Sequence, residues 1–182
     1  VRVGDAKISF TPAGHLLGAV SVRLTAQGRT LAFSGDLGRS DDLLMPPPSP
    51  IDQADVLLIE STYGNRRHPK EDVQARLGEI IRATTRRGGT VLLPSFAVGR
   101  AQSLLYQLWR LKRDGSIPDL PVFLDSPMAI DTTDIYLRFH REHRLSPDEC
   151  RGMSRVAKLC RTPEESRALN GLSYPAIIIS AS

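Results

Sequence analysis

Short apolar runs separated by turn residues open the chain. Residues 7–10, 19–25 and 29–33, rich in Val, Leu, Ile and Phe, predict three strands, with Gly28 at the turn between the second and third. Residues 35–50 follow as a loop, because Pro46, Pro47, Pro48 and Pro50 remove backbone donors and fix φ too often for sheet or helix. Residues 56–59 are apolar without alternation, the pattern of a strand covered on both faces. The period then changes. Over 69–87, Val73, Leu77, Ile80, Ile81 and Thr84 recur at helical spacing until Gly88 and Gly89 stop the helix. Residues 90–93 predict a strand, and Val98, Ala101, Leu104, Leu105, Leu108 and Leu111 a second amphipathic helix that closes near Gly115. Another strand is predicted at 122–124, helices around 129–143, 147–160 and 163–170, and a last strand at 176–179. Alternation of this kind predicts an α/β fold, a mostly parallel sheet flanked by helices. The change of pattern at residues 62–68 divides a β-rich front, 1–64, from an α/β back, 65–182.

Composition narrows the class. A chain of 182 residues with 41% hydrophobic and 24% charged residues can bury an ordinary core without disulfides or a structural metal. Its net charge of +4 is mild, and 20 of its 24 basic residues are arginine, a side chain suited to bidentate phosphate contacts. That balance permits a nucleic-acid partner without requiring one. Cys150 and Cys160 lack C-x-x-C spacing and read as reduced thiols of a cytoplasmic protein. No apolar run approaches the roughly 18 residues of a membrane span, so no membrane partner is expected. Both termini fall against apparent strands, and the chain reads as an internal piece of a longer protein.

Candidate chemistry gathers at strand ends. Residues 13–19, Ala-Gly-His-Leu-Leu-Gly-Ala, hold His15 in a tight loop, and residues 34–39, Ser-Gly-Asp-Leu-Gly-Arg, put Asp36 directly after a strand. Imidazole and carboxylate both suit zinc, and a carboxylate can bridge two cations. Singly, His15 reads more readily as a surface or hydrogen-bonding residue than as a ligand, and Asp36 equally as turn chemistry. Glu60 closes the run at 56–59 and needs a partner, either a nearby histidine or metal, or loop amides. Residues 94–100 join a strand to a helix N-terminus, where free amides with Ser95 and Arg100 could hold an anion. Ser126 lies in a similar strand-end turn. The arginines and lysine between 138 and 161 read as a solvated face.

Taken together, AGHLLGA at 13–19, SGDLGR at 34–39, ESTYG at 60–64, PSFAVGRAQSLLY at 94–106 and DSPMA at 125–129 resemble, in order, the β-CASP branch of the metallo-β-lactamase superfamily, the RNA-processing nucleases. The resemblance implies that 1–64 is part of a metallo-β-lactamase αββα sandwich and that 65–182 is a β-CASP α/β domain inserted as a cap. It implies two Zn²⁺ ions, with His15 as a ligand of the first and Asp36 bridging both. It gives Glu60 the role of orienting a histidine near the leaving group, so Asp36 and Glu60 are the catalytic candidates. Ser95, Arg100, Ser126 and His68 are candidate contacts to RNA phosphates. The implied chemistry is zinc-dependent phosphodiester hydrolysis of RNA, single-stranded by preference, by a protein that could work as a homodimer.

The same resemblance implies an H-x-H-x-D-H cluster and later β-CASP histidines, and the sequence contains neither. The chain alone is therefore expected to be inactive and to bind no zinc firmly. His140 and His143 match none of the implied ligands and read as ordinary surface residues. Three other readings remain open at this level: a non-catalytic β-CASP scaffold or RNA-binding subunit, a β-CASP nuclease acting on DNA, and an unrelated α/β anion-binding module over 65–182.

Overall fold

A computed structural model describes residues 1–67 and 69–182. The candidate His68 lies outside the described residues. The chain forms two compact units, Val1–Pro69 with Arg141–Arg144, and Lys70–His140 with Leu145–Ser182.

The first unit is a five-stranded sheet in the order β1 (Arg2–Val3), β2 (Ala6–Pro12), β3 (Val20–Ala26), β4 (Arg29–Phe33) and β5 (Val56–Leu58). The first four strands run antiparallel, with Gln27 and Gly28 at positive φ turning β3 into β4, and β5 joins β4 in parallel. No helix occurs among the described residues of this unit, so the second sheet and outer helices of an αββα sandwich are not seen. The expectation that 56–59 is covered on both faces is not met. Val56, Leu57 and Leu58 are each about half exposed, because no layer among the described residues covers both faces of β5, which is also an edge strand.

The second unit meets the α/β expectation. Its sheet, in the order β6 (Val91–Ser95), β9 (Ile177–Ala181), β7 (Val122–Asp125) and β8 (Lys158–Cys160), is parallel throughout. Side chains alternate across it. Ile177, Ile179, Val122 and Leu124 are buried, while Phe123 and Ile178 form a separate cluster with Cys160 and Ala176, against which Leu169 and Leu172 pack. The helices are α1 (Val73–Arg86), α2 (Arg100–Arg113), α3 (Pro127–Arg138), α4 (Pro147–Arg155) and α5 (Pro163–Ala168), the last continued by a 3₁₀ turn, Leu169–Gly171. The order β6-β9-β7-β8 means that β9 returns between two strands formed earlier in the chain.

Helix starts follow local chemistry. Asp72 caps α1 by accepting from the Ala75 amide. Ser126, Ser146 and Thr162 each precede a proline at the first helical position and accept from a backbone amide three residues on. Glu149 and Glu165 complete capping boxes for α4 and α5. α2 and α4 approach closely where Trp109 lies over Gly152; a Cβ there would come within 2.1 Å of the indole nitrogen.

Two further expectations need correction. Residues 158–160 form a strand, not the end of a helix starting at 147, because three residues are too few to show an alternating pattern and only Cys160 is buried. The helix expected over 129–143 ends at Arg138, and His143 is buried in the first unit instead of lying on the surface. That burial comes from tertiary packing, which helical periodicity cannot register. No helix among the described residues is long and apolar enough to cross a membrane.

Candidate functional site

In the first unit the loop after β2 and the loop after β4 are fastened to each other. Gly14 and Leu37 form an isolated antiparallel bridge, and the Gly38 amide donates to the Ala13 carbonyl at 2.8 Å. The approach leaves no room for side chains. A Cβ on Gly38 would lie 1.8 Å from the Gly14 oxygen, and one on Gly14 would lie 2.6 Å from the Pro46 oxygen. Gly14 also sits at a φ of +70°, where a Cβ is unfavourable in any case. His15 follows the first of these glycines and Asp36 precedes the bridge by one residue.

The proline loop that backs Gly14 is itself held from two sides. The Asp42 carboxylate accepts from the Leu44 and Met45 amides, each at 2.8 Å. The Arg144 guanidinium donates to the carbonyls of Asp42 and Ser40, and its amide to that of Leu44. Gly14 is thus packed between Gly38 and a braced loop.

Glu60 joins the same group from the end of β5. One carboxylate oxygen accepts from the Leu37 amide at 2.9 Å and the other from the Thr62 amide at 3.2 Å. Loop amides are one of the partners the sequence leaves open for it. These bonds hold its carboxyl below the ordinary glutamate range; the Leu37 amide contributes most, then Thr62, with His15 adding a smaller electrostatic pull. Ser34, buried, ties the base together. Its hydroxyl accepts from the Glu60 amide at 3.0 Å and donates to the Gly35 carbonyl, while Ser21 donates to the Ser34 carbonyl. Ser34 had no distinguishing signal in the sequence beyond standing between a strand and a glycine.

The loops that carry His15, Asp36 and Glu60 are therefore joined, through backbone contacts and the Glu60 carboxylate. The His15 and Asp36 side chains are exposed and have no hydrogen bond among the described residues, although the backbone beneath them is pinned at several points. Their donor types suit zinc; their number does not complete a site. Among the described residues no three His, Cys, Asp or Glu side chains are grouped as a metal ion requires, and zinc takes three or four protein ligands.

The remaining candidates lie in the second unit, at the carboxyl ends of its parallel strands, where open α/β sheets bind ligands. Ser95 ends β6, and its hydroxyl is buried without a hydrogen-bond partner among the described residues. Arg100 opens α2 and is exposed. The buried Ser126 follows β7, with its oxygen accepting from the Ala129 amide at 3.2 Å and its proton given to no acceptor among the described residues. β9 lies between the two strands, and its end is laced to the first loop by bonds from Ser182 to the Ser95 carbonyl and from Ala97 to the Ser182 carbonyl.

The parallel sheet, its flanking helices and these strand-end loops define a β-CASP-like α/β domain. A family model described as the Beta-Casp domain matches residues 101–182. A ribonuclease of Thermus thermophilus is 37% identical over the whole chain, which spans 43% of that protein. An RNase J-like protein of Methanocaldococcus jannaschii is 35% identical over 73% of the chain and 32% of its own length. An endoribonuclease of Schizosaccharomyces pombe is 41% identical over 67% of the chain and 17% of its own length. Residues 101–182 belong to the Beta-Casp domain family, and the chain is a relative of these RNA-processing nucleases. It spans less than half the length of each of the three.

Proposed function

We propose that the intact protein is a metal-dependent ribonuclease of the β-CASP type. In this reading His15 and Asp36 contribute to a two-zinc centre and residues 1–64 are part of an αββα sandwich. The observation that carries it is the bridge between Gly14 and Leu37 with Gly38 closed against Gly14. Two strand-end loops are held at backbone distance while the histidine and carboxylate they carry are left unspent, an arrangement that serves a ligand better than it serves stability. The half-exposed apolar β5 supports the sandwich reading, since such a strand suits a covering layer.

Bound divalent cations would supply charge stabilisation and lower the pKa of water at the phosphodiester. The chain's own residues do the rest. Asp36 presents a carboxylate on a loop with little freedom to move. Glu60, held as a carboxylate by the Leu37 and Thr62 amides, fixes the Asp36 loop against the end of β5. Arg100, exposed at the start of α2, offers a guanidinium to RNA phosphates, and Ser95 and Ser126 hold buried hydroxyls at the same strand ends that a shift of the loops would uncover. Cleavage of labelled single-stranded RNA by the intact protein, with and without chelator, tests the proposal, with a DNA oligonucleotide of the same sequence alongside. Chelator-sensitive cleavage of RNA is expected. Binding without cleavage would make it an RNA-binding subunit, and cleavage of DNA alone would make it a DNA nuclease.

A further inference from the structure

A fully buried amide side chain joins the two strand-end loops of the second unit. Gln102 lies in the first turn of α2 with no exposed surface. Burying an amide is costly unless its hydrogen-bonding capacity is used. Here both ends of the amide are engaged. The Gln102 Oε1 accepts from the Gly99 amide at 2.7 Å, and its Nε2 faces the Ala97 carbonyl at 3.2 Å, the Ala129 carbonyl at 3.1 Å and the Thr133 hydroxyl at 3.2 Å. Ala97 and Gly99 belong to the loop that follows β6; Ala129 and Thr133 belong to α3, which Ser126 caps. β6 and β7 are not neighbours in the sheet, so this one amide fixes directly what the sheet connects only through β9.

An apolar residue of similar length would fill the same volume. What it could not do is hold the segment carrying Ser95 and Arg100 at a fixed distance from Ser126. The Ser95 hydroxyl, buried and unpartnered among the described residues, shows hydrogen-bonding capacity left over at the end so fixed. We infer that Gln102 is a positioning residue for RNA-phosphate binding at the carboxyl ends of β6 and β7, an inference that rests on the proposed roles of Ser95, Arg100 and Ser126.

The test uses the intact protein with metal chelated, so that binding is read without cleavage. Equilibrium binding of a fluorescent single-stranded RNA at fixed salt is measured for wild type, Gln102→Met, Arg100→Ala and the core variant Leu108→Val, alongside thermal unfolding and hydrogen exchange at the Gly99 amide. Gln102→Met is expected to bind about tenfold more weakly, the equivalent of one hydrogen bond to a charged group, with faster exchange at Gly99. Leu108→Val is expected to unfold at lower temperature yet keep its RNA affinity within about twofold, since its side chain is buried and makes no bond to either loop. If Arg100→Ala weakens binding and Gln102→Met does not, the inference is overturned and the phosphate-contact reading stands. If neither weakens it, that reading fails and takes the inference with it. Should Gln102→Met not fold, Thr133→Val removes one partner of the amide and is expected to weaken binding about threefold; unchanged affinity there would overturn the inference equally.

Discussion

Replacing Gly38 with alanine perturbs the contact that fastens the two metal-candidate loops. The added methyl would lie 1.8 Å from the Gly14 oxygen, 2.1 Å from its carbonyl carbon and 2.7 Å from the His15 nitrogen, where ordinary contact begins near 3.4 Å. Relief requires a retreat of about 1.6 Å. Gly14 cannot supply it, because its other side faces the backbone of Pro46, Pro47 and Pro48. The Asp36 loop must move instead, and a shift of that size breaks the 2.8 Å bond from the Gly38 amide to Ala13. Overpacking costs about 1–3 kcal/mol and the lost bond about 1 kcal/mol, so Gly38→Ala is expected to lose roughly 2–4 kcal/mol. Urea unfolding followed by circular dichroism measures that loss. Hydrogen exchange over residues 34–40 shows whether it is local. Gly171→Ala is the control, since a Cβ there meets nothing within 4 Å. A Gly38→Ala protein within about 0.5 kcal/mol of wild type, with unchanged exchange, would refute the packing argument.

The other predictions concern different parts of the molecule. Gly152→Ala pushes a methyl to 2.1 Å from the Trp109 nitrogen, in a ring already stacked on Tyr106 and covered by Arg113. Overpacking should outweigh the roughly 1 kcal/mol of helix propensity that alanine gains, and unfolding followed by the single tryptophan should show a net loss; a gain would contradict it. Glu60 has a folded pKa below its unfolded one, so its stabilising effect is complete near neutrality and lost as pH falls through the folded value. Glu60→Gln should flatten the loss of stability below about pH 4.5, and identical acid limbs would contradict the assignment. Zinc titration of the 182-residue chain by calorimetry should show no submicromolar site, because His15 and Asp36 are two donors where three or four are needed.

The back half of the fold was readable because β6 and β7 are compact apolar runs and because α1 and α2 carry a helical period. β8 was not, since a three-residue edge strand has no period to read. β5 misled for the opposite reason: its composition specifies burial, and the described residues do not provide it. His15, Asp36 and Glu60 were legible as strand-end residues, and their order along the chain supplied the resemblance. Their fastening was not legible. That Gly38 closes on Gly14, that Ser34 holds Glu60, and that Arg144 braces a loop 100 residues earlier are long-range facts that no spacing encodes. Gln102 was hidden in another way. A polar residue in the first turn of an amphipathic helix looks solvent-facing until the neighbouring loops are in place.

The most direct test of the ribonuclease reading is single-turnover cleavage of single-stranded RNA by the intact protein carrying Asp36→Asn, with bound zinc counted on the same samples. Asparagine keeps the shape of the side chain, and the loop beneath it is held by backbone contacts that the substitution leaves alone. Folding should therefore be preserved while zinc content falls. Changes in the partners of metal ligands already cost 10–100-fold, so loss of a ligand should slow cleavage by at least about a hundredfold. An Asp36→Asn protein that retains its zinc and cleaves RNA at the wild-type rate would contradict the account.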